Sequence, residues 1–194
     1  GISALRYLDN EILCVVDSVF AGKNISDLSI IKKDIPIVES IERAKSMGSN
    51  VLLLGVLTSG GIRPKSWDIV IKEALEKGMS IINGLHDQIS PSFSKYIIND
   101  NQWIWDTRVP KFIPQIGSAR AAELKNKRVL MIGTDMAAGK MTVGLELYSY
   151  LIEKKINTGF VATGQVGITV TGKGIPLDAY KLDHACGAVE TAVL

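Results

Sequence analysis

Cysteine and histidine are scarce, with two of each in 194 residues. Cys14 and Cys186 have no CxxC spacing and no cluster of metal-type ligands beside them, which argues against a disulfide framework and a structural zinc site. Both read as reduced, buried thiols. No block of like charge occurs. The 22 Lys and Arg stand against 20 Asp and Glu, a formal net charge of +2, so the composition makes no electrostatic case for nucleic acid or a membrane surface as partner. The longest apolar runs, such as 51–57, are too short for a bilayer span, and no basic segment followed by a hydrophobic one opens the chain. A GxGxxG pattern is missing too, which removes the sequence support for a nicotinamide cofactor. These absences predict a cytoplasmic protein with a small-molecule substrate and no nucleic-acid or membrane partner. Assembly into a homo-oligomer stays open.

What is present is apolar residues, 46% of the chain, and 18 glycines. That apolar share is enough for a sizeable core in one or two domains. Residues 1–110 alternate β-like and helical runs, the pattern of an open parallel sheet flanked by helices. Strands are expected over 12–16, 51–57, 79–82 and 103–105, and helices over 38–47, 66–77 and 91–98. Trp67, Val70, Ile71, Ala74 and Leu75 share one helical face, and Gly78 stands where a C-cap glycine belongs. Pro110 and Pro114, followed by a charged stretch, mark 111–126 as a linker. From residue 127 a second block gives a strand at 128–132 and a helix through Val143, Leu147, Tyr150 and Leu151. A strand at 159–163, a glycine-rich loop at 164–176 and a helix from about Leu177 follow. The expected class is α/β: a Rossmann-like open parallel sheet at 1–110, then a truncated P-loop NTPase-like α/β domain at 127–194. Gly1 is not Met, residues 2–8 read as the tail of a helix, and Leu194 falls inside an apolar helical pattern. The chain is therefore expected to be a fragment, with the start of the first domain and the end of the second missing.

Gly133-Thr134-Asp135-Met136-Ala137-Ala138-Gly139-Lys140-Met141-Thr142 joins the apolar run 128–132 to a helical pattern. A strand that ends in a glycine-bounded loop and re-enters as a helix aims several N–H groups and a positive helix end at one point, with a lysine beside it. Gly133, Thr134, Asp135, Gly139, Lys140, Met141 and Thr142 are thus expected to hold phosphates. The spacing departs from the usual P-loop: five residues separate the glycines, and Met141 rather than Ser or Thr follows the lysine. Thr142 is a metal ligand only if the bound species is ATP with magnesium. The Gly-Thr-Asp-x-x-x-Gly-Lys form resembles dethiobiotin synthetase and related P-loop proteins.

Other candidates follow the expected strands. Gln165 lies in a loop predicted to leave the same sheet edge as the phosphate loop. Asp183 and Glu190, seven apart, fall on one helical face and offer paired carboxylates for proton transfer. His86, in Asn83-Gly84-Leu85-His86-Asp87, follows a strand at the edge where open α/β sheets bind ligands, and histidine suits a base near neutral pH. Asp17 and Lys23 follow the first strand, while Arg63 and Arg108 could grip carboxylates in bidentate fashion.

Val16-Asp17-Ser18, Ala21-Gly22-Lys23, Asn83-Gly84-Leu85-His86, Gly133-Thr134-Asp135, Gly139-Lys140-Met141-Thr142, Ala162-Thr163-Gly164-Gln165 and Gly187-Ala188 with Glu190 together resemble the DgcN-like family. That family was formerly a domain of unknown function, and the resemblance covers essentially the whole chain. It implies a Rossmann-like domain followed by a P-loop domain and an N-acetyltransferase moving acetyl from acetyl-CoA to the amine of D-glutamate or a related amino acid. On that reading the loop holds the cofactor's phosphates, His86 or Asp183 is the base, and an arginine grips a carboxylate. The alternatives are an ATP-dependent ligase or kinase like dethiobiotin synthetase, using ATP and magnesium, and a non-catalytic nucleotide or CoA sensor.

Overall fold

The computed structural model describes residues 1–56, 58–135 and 137–194. Leu57, which ends the strand expected over 51–57, and Met136, inside the expected phosphate loop, lie outside the described residues, as does the side chain of Ser59. Contacts divide the chain into two compact units, Gly1–Val109 and Pro110–Leu194.

The first unit is a parallel α/β arrangement. Helix α1 (Ile2–Tyr7) precedes strand β1 (Val15–Val16), and β1 pairs in parallel with β2 (Ile37–Val38), Val15 opposite Ile37. Between them α2 (Ile25–Leu28) is closed by a capping box on Asn24 and Asp27. A second sheet has the order β3 (Val51–Leu53), β4 (Ser80–Asn83), β5 (Ile104–Asp106), all parallel, with Leu52 opposite Ile81 and Ile82 opposite Trp105. The crossover from β3 to β4 is α4 (Trp67–Glu76), and α5 (Ser90–Phe93) follows β4.

The apolar face read from the sequence is the one α4 buries. Ile71, Ala74 and Leu75 are fully enclosed with Ile41, Met79, Ile81, Ile89 and Phe93, and Trp67 and Val70 pack at the margin. Each large aliphatic side chain so enclosed contributes about 1.5–3 kcal/mol. The helix expected over 38–47 is instead split. Ile37 and Val38 pair with β1, and Ser40 caps α3 (Ile41–Ser46) by accepting the Arg43 N–H. A serine cap therefore sets the start that apolar periodicity placed too early.

The second unit contains α6 (Lys140–Glu153), α7 (Gln165–Thr171) and α8 (Leu182–Val193). Two expected strands are not formed. Residues 128–132 pair with no strand among the described residues, leaving Val129, Leu130 and Ile132 exposed. Of 159–163 only Ala162 bridges, in parallel, to Gly174. A β-run without a neighbouring strand has no ladder to join, whatever its propensity. The loop expected over 164–176 is largely α7, whose alternating Val166, Ile168 and Val170 gave it no helical signature. On α6 the buried face is Gly144 and Leu145, while Val143 and Tyr150 are exposed. Cys14 is half-buried and Cys186 is exposed, so the expectation of two buried thiols fails for Cys186. Among the described residues no helix is long and apolar enough to cross a membrane.

Candidate functional site

In the first unit, two buried polar side chains organise the carboxyl ends of β4 and β5. Asn83 is 0% exposed, and its amide donates to the Asp87 carbonyl and to Asp106 Oδ1, both at 2.7 Å, while its oxygen accepts the Leu85 N–H at 3.1 Å. Asp106 also accepts the Ile89 and Ser90 N–H groups, at 3.1 and 3.0 Å. The pair satisfies itself and, in doing so, folds the chain leaving β4 into one turn that leads into α5.

His86 sits at the outside of that turn. Its side chain is exposed, and its N–H donates to the Gly61 carbonyl at 2.9 Å. Gly61 has φ +67°, and a Cβ there would overlap the imidazole. The glycine thus lets the loop after β3 lie directly against the loop after β4. Beyond it the Arg63 N–H donates to Asp87 Oδ2 at 2.9 Å, its Nε donates to Asp68 at 2.7 Å, and its guanidinium lies 5.2 Å from the Phe93 ring centre. Arg108 donates from Nε to the Gly84 carbonyl at 2.9 Å, and burial pulls its pKa down from the ordinary value. His86, Arg63 and Arg108 therefore share the strand ends of one sheet. Asp17 and Lys23 follow β1, a strand of the other sheet. Asp17 accepts the Val19 and Phe20 N–H groups as a turn former, and Lys23 lies over the Phe20 ring.

In the second unit Gly139, at φ +87°, caps the start of α6 without any side-chain cap. The first N–H groups of a helix have no intrahelical acceptor, so those of Lys140, Met141 and Thr142 face the loop's side of the helix. Lys140 folds back to donate from Nζ to the Asp135 carbonyl, and its stem packs on Gly133, where a Cβ would come within 3.0 Å of Cγ. Ala137, a non-glycine residue at φ +56°, adds local strain of about 1–2 kcal/mol. A glycine-bounded loop, a free helix start and a lysine curled over them fit an anionic pyrophosphate. Thr134, Asp135 and Thr142 are exposed around it, and Gln165 begins α7, half-buried. Among the described residues no three His, Cys, Asp or Glu side chains gather as a metal site.

The two paired carboxylates part company. Asp183 is exposed in the first turn of α8, where a negative charge suits the helix dipole. Glu190 is buried. It accepts the Ser118 N–H and hydroxyl at 2.9 and 3.2 Å and the Ala121 N–H at 3.2 Å, with Arg120 at 4.0 Å. These bonds, the Ser118 N–H foremost, hold its pKa below the ordinary carboxylate range. Residues 118–121, expected within a linker, are thus clasped to α8, and Glu190 serves backbone rather than solvent.

Two family models match. The one described as the DUF1611 Rossmann-like domain covers 18–110, and the one described as the DUF1611 P-loop domain covers 115–194. The chain belongs to the DUF1611 family. A crystal structure of a DUF1611 family protein from Anabaena variabilis is 38% identical, with a TM-score of 0.92, over 100% of this chain and 57% of that one. Two curated relatives, each called D-glutamate N-acetyltransferase, come from Pseudoalteromonas sp and Tritonibacter scottomollicae. They are 36% and 35% identical over 78% of this chain. The chain spans about half the length of these relatives, 46% and 45%. Sequence reasoning named residues at both places, His86, Arg63 and Arg108 at the strand ends of the first unit and 133–142 with Gln165 in the second. It gave Asp87 no role beyond standing next to His86, and it missed Asp106, for which the one signal was a carboxylate closing the apolar run Ile104-Trp105-Asp106.

Proposed function

We propose that the protein is an N-acetyltransferase that moves acetyl from acetyl-CoA to the amine of D-glutamate or a related amino acid. The observation that carries this reading is the phosphate loop, with Gly139 at the helix start and Lys140 folded over Gly133. The names of the two curated relatives support the choice of reaction. Acetyl-CoA brings a thioester as acyl donor, and its phosphates suit the N–H groups of 139–142 and the Lys140 ammonium.

The chemistry sets the remaining demands. An α-ammonium must lose a proton before its nitrogen can form the amide bond and the carbon–sulfur bond can break, and the oxyanion between those events needs N–H or cationic donors. His86 is the base on this reading, because its imidazole is exposed and its loop is fixed by Asn83 and by Gly61. Asp183 is the second choice, and Glu190 is reassigned to holding 118–121. Arg63 and Arg108 supply positive charge for carboxylates. The test is a product assay with the intact protein, acetyl-CoA and a panel of amino acids of both hands, read by mass spectrometry. An N-acetylated acidic amino acid is expected. No acetylated product, together with thermal stabilisation by ATP and magnesium but not by acetyl-CoA, would overturn the reading in favour of a ligase or kinase.

A further inference from the structure

We propose that the Thr107 hydroxyl is a substrate contact in the first unit, donating a hydrogen bond to a carboxylate oxygen of the acceptor amino acid. The inference rests on the acetyl-transfer reading above and adds to it a residue that neither the sequence motifs nor the comparisons single out.

The first argument is hydrogen bonding. Among the described residues the buried polar side chains are Ser80, Asn83, Gln102, Asp106, Thr107 and Glu190. Five are matched. Asn83 pairs with Asp106, and Glu190 takes the Ser118 and Ala121 N–H groups. The Ser80 hydroxyl accepts the Trp103 N–H at 3.2 Å, and the Gln102 amide donates to the Leu75 and Met79 carbonyls at 2.8 and 2.9 Å. Thr107 is 2% exposed, and its hydroxyl has no partner. An unpaired buried O–H is costly, and valine has the same shape without it. In a chain that matches its other buried polar side chains, the odd hydroxyl points to a role outside the fold.

The second argument is place. Thr107 follows Asp106, the last residue of β5, and extends the ladder by one rung, its N–H donating to the Asn83 carbonyl at 2.9 Å. Both of its chain neighbours belong to the strand-end site. Asp106 frames the turn that carries His86, and Arg108 donates to the Gly84 carbonyl. Open α/β sheets take ligands at these carboxyl ends.

The third is side. Successive side chains of a strand alternate between the two faces of its sheet. Asp106 meets Asn83 and the start of α5, so Thr107 belongs to the opposite face, with Trp105 and its register partner Ile82. Trp105 and Ile82 are half-buried, in contrast to Ile81, which is fully enclosed on the α4 side. The reverse face is therefore the side from which a small molecule can approach the hydroxyl. A hydrogen bond made at so enclosed a group meets little competition from water and discriminates sharply against ligands unable to accept it. The reacting amine has to face the thioester, which leaves a carboxylate as the end to be held, and a carboxylate accepts where a hydroxyl donates.

Calorimetric titration of the intact protein and its Thr107→Val and Thr107→Ser variants with D-glutamate and with acetyl-CoA, alongside melting curves, tests this. Thr107→Val is expected to melt no lower than the parent, to lose about tenfold or more of D-glutamate affinity and to bind acetyl-CoA unchanged. Thr107→Ser should keep most of the D-glutamate affinity. Unchanged D-glutamate affinity in Thr107→Val would overturn the inference, and so would a parent that binds no D-glutamate. An affinity loss that comes with a lower melting temperature in Thr107→Val would overturn it too, by marking the hydroxyl as part of the fold. D-Glutamate binding that depends on Thr107 in a protein that forms no acetylated product would uphold the contact and defeat the acetyl-transfer reading instead.

Discussion

The two candidate edges are built by opposite means. At the first, side chains hold backbone: Asn83 and Asp106, both buried, together satisfy four N–H and C=O groups of the turn that carries His86. At the second, backbone stands without such support. The start of α6 has no side-chain cap, Lys140 rests on a carbonyl of its own loop, and the apolar run before it lies exposed. An edge closed by buried polar groups is fixed before anything binds. One left with unspent N–H groups gains its order from an anion. Mutations should therefore register as lost stability at the first edge and as lost affinity at the second.

The largest effect is expected at Asp106. Asp106→Ala strands the Asn83 amide and the Ile89 and Ser90 N–H groups inside the protein, and each buried group left unpaired costs about 1–3 kcal/mol. Chemical denaturation should show a loss of about 3 kcal/mol or more. A loss under about 1 kcal/mol would mean that water replaces the carboxylate and that the first edge is no stiffer than the second. Lys140→Ala is the mirror case. A charge-assisted hydrogen bond contributes about 1.5–3 kcal/mol, so affinity for acetyl-CoA should fall about 10- to 100-fold by calorimetry, with the denaturation midpoint unmoved. An unchanged affinity removes the phosphate assignment.

The same contrast decides what could be read in advance. Periodicity located α4 and its buried face because Ile71, Ala74 and Leu75 repeat at helical spacing against a sheet completed within the first unit. It failed at 128–132 and 159–163, since a strand is defined by its neighbour, and among the described residues the first run pairs with no strand and the second makes a single bridge, Ala162 to Gly174. The turn at Gly139 into α6 was legible because glycine and lysine announce a backbone geometry. The Asn83–Asp106 pair was not, because it joins residues more than twenty positions apart. Glu190 looked catalytic from its spacing to Asp183, and only its contacts with Ser118 and Ala121 reveal a carboxylate bound to backbone.

A smaller effect should follow from Gly61→Ala, which presses a methyl into the His86 ring and strains a left-handed residue. The backbone term alone is about 1–2 kcal/mol. Because His86 is exposed while Gly61 is buried beneath it, the imidazole is expected to swing outward while the core holds. The His86 ring resonances should shift, and turnover should fall more than stability does. If the His86 resonances stay in place while the fold is lost, Gly61 belongs to the core support and not to the positioning of His86.

The smallest effect separates the two building methods within one unit. Glu190 is the second unit's counterpart of Asp106, a buried carboxylate that takes backbone N–H groups, yet it clasps 118–121 to α8 rather than framing the phosphate loop. Its folded pKa lies below the ordinary carboxylate value, first through the Ser118 N–H, then through Ala121. A group of that sign adds stability that is present above its unfolded pKa and is lost as pH falls through its folded one. Glu190→Gln keeps the size and removes the charge, so the melting temperature should drop at neutral pH, and the gap from the parent should narrow as the solution is acidified below the ordinary carboxylate range. Acetyl-CoA affinity at neutral pH should be the same in both, because the residues the clasp holds, 118–121, are not among 133–142. A gap that stays constant with pH would show that the charge contributes nothing and that shape alone fastens the segment. A fall in acetyl-CoA affinity would show that the phosphate loop, too, depends on a buried carboxylate.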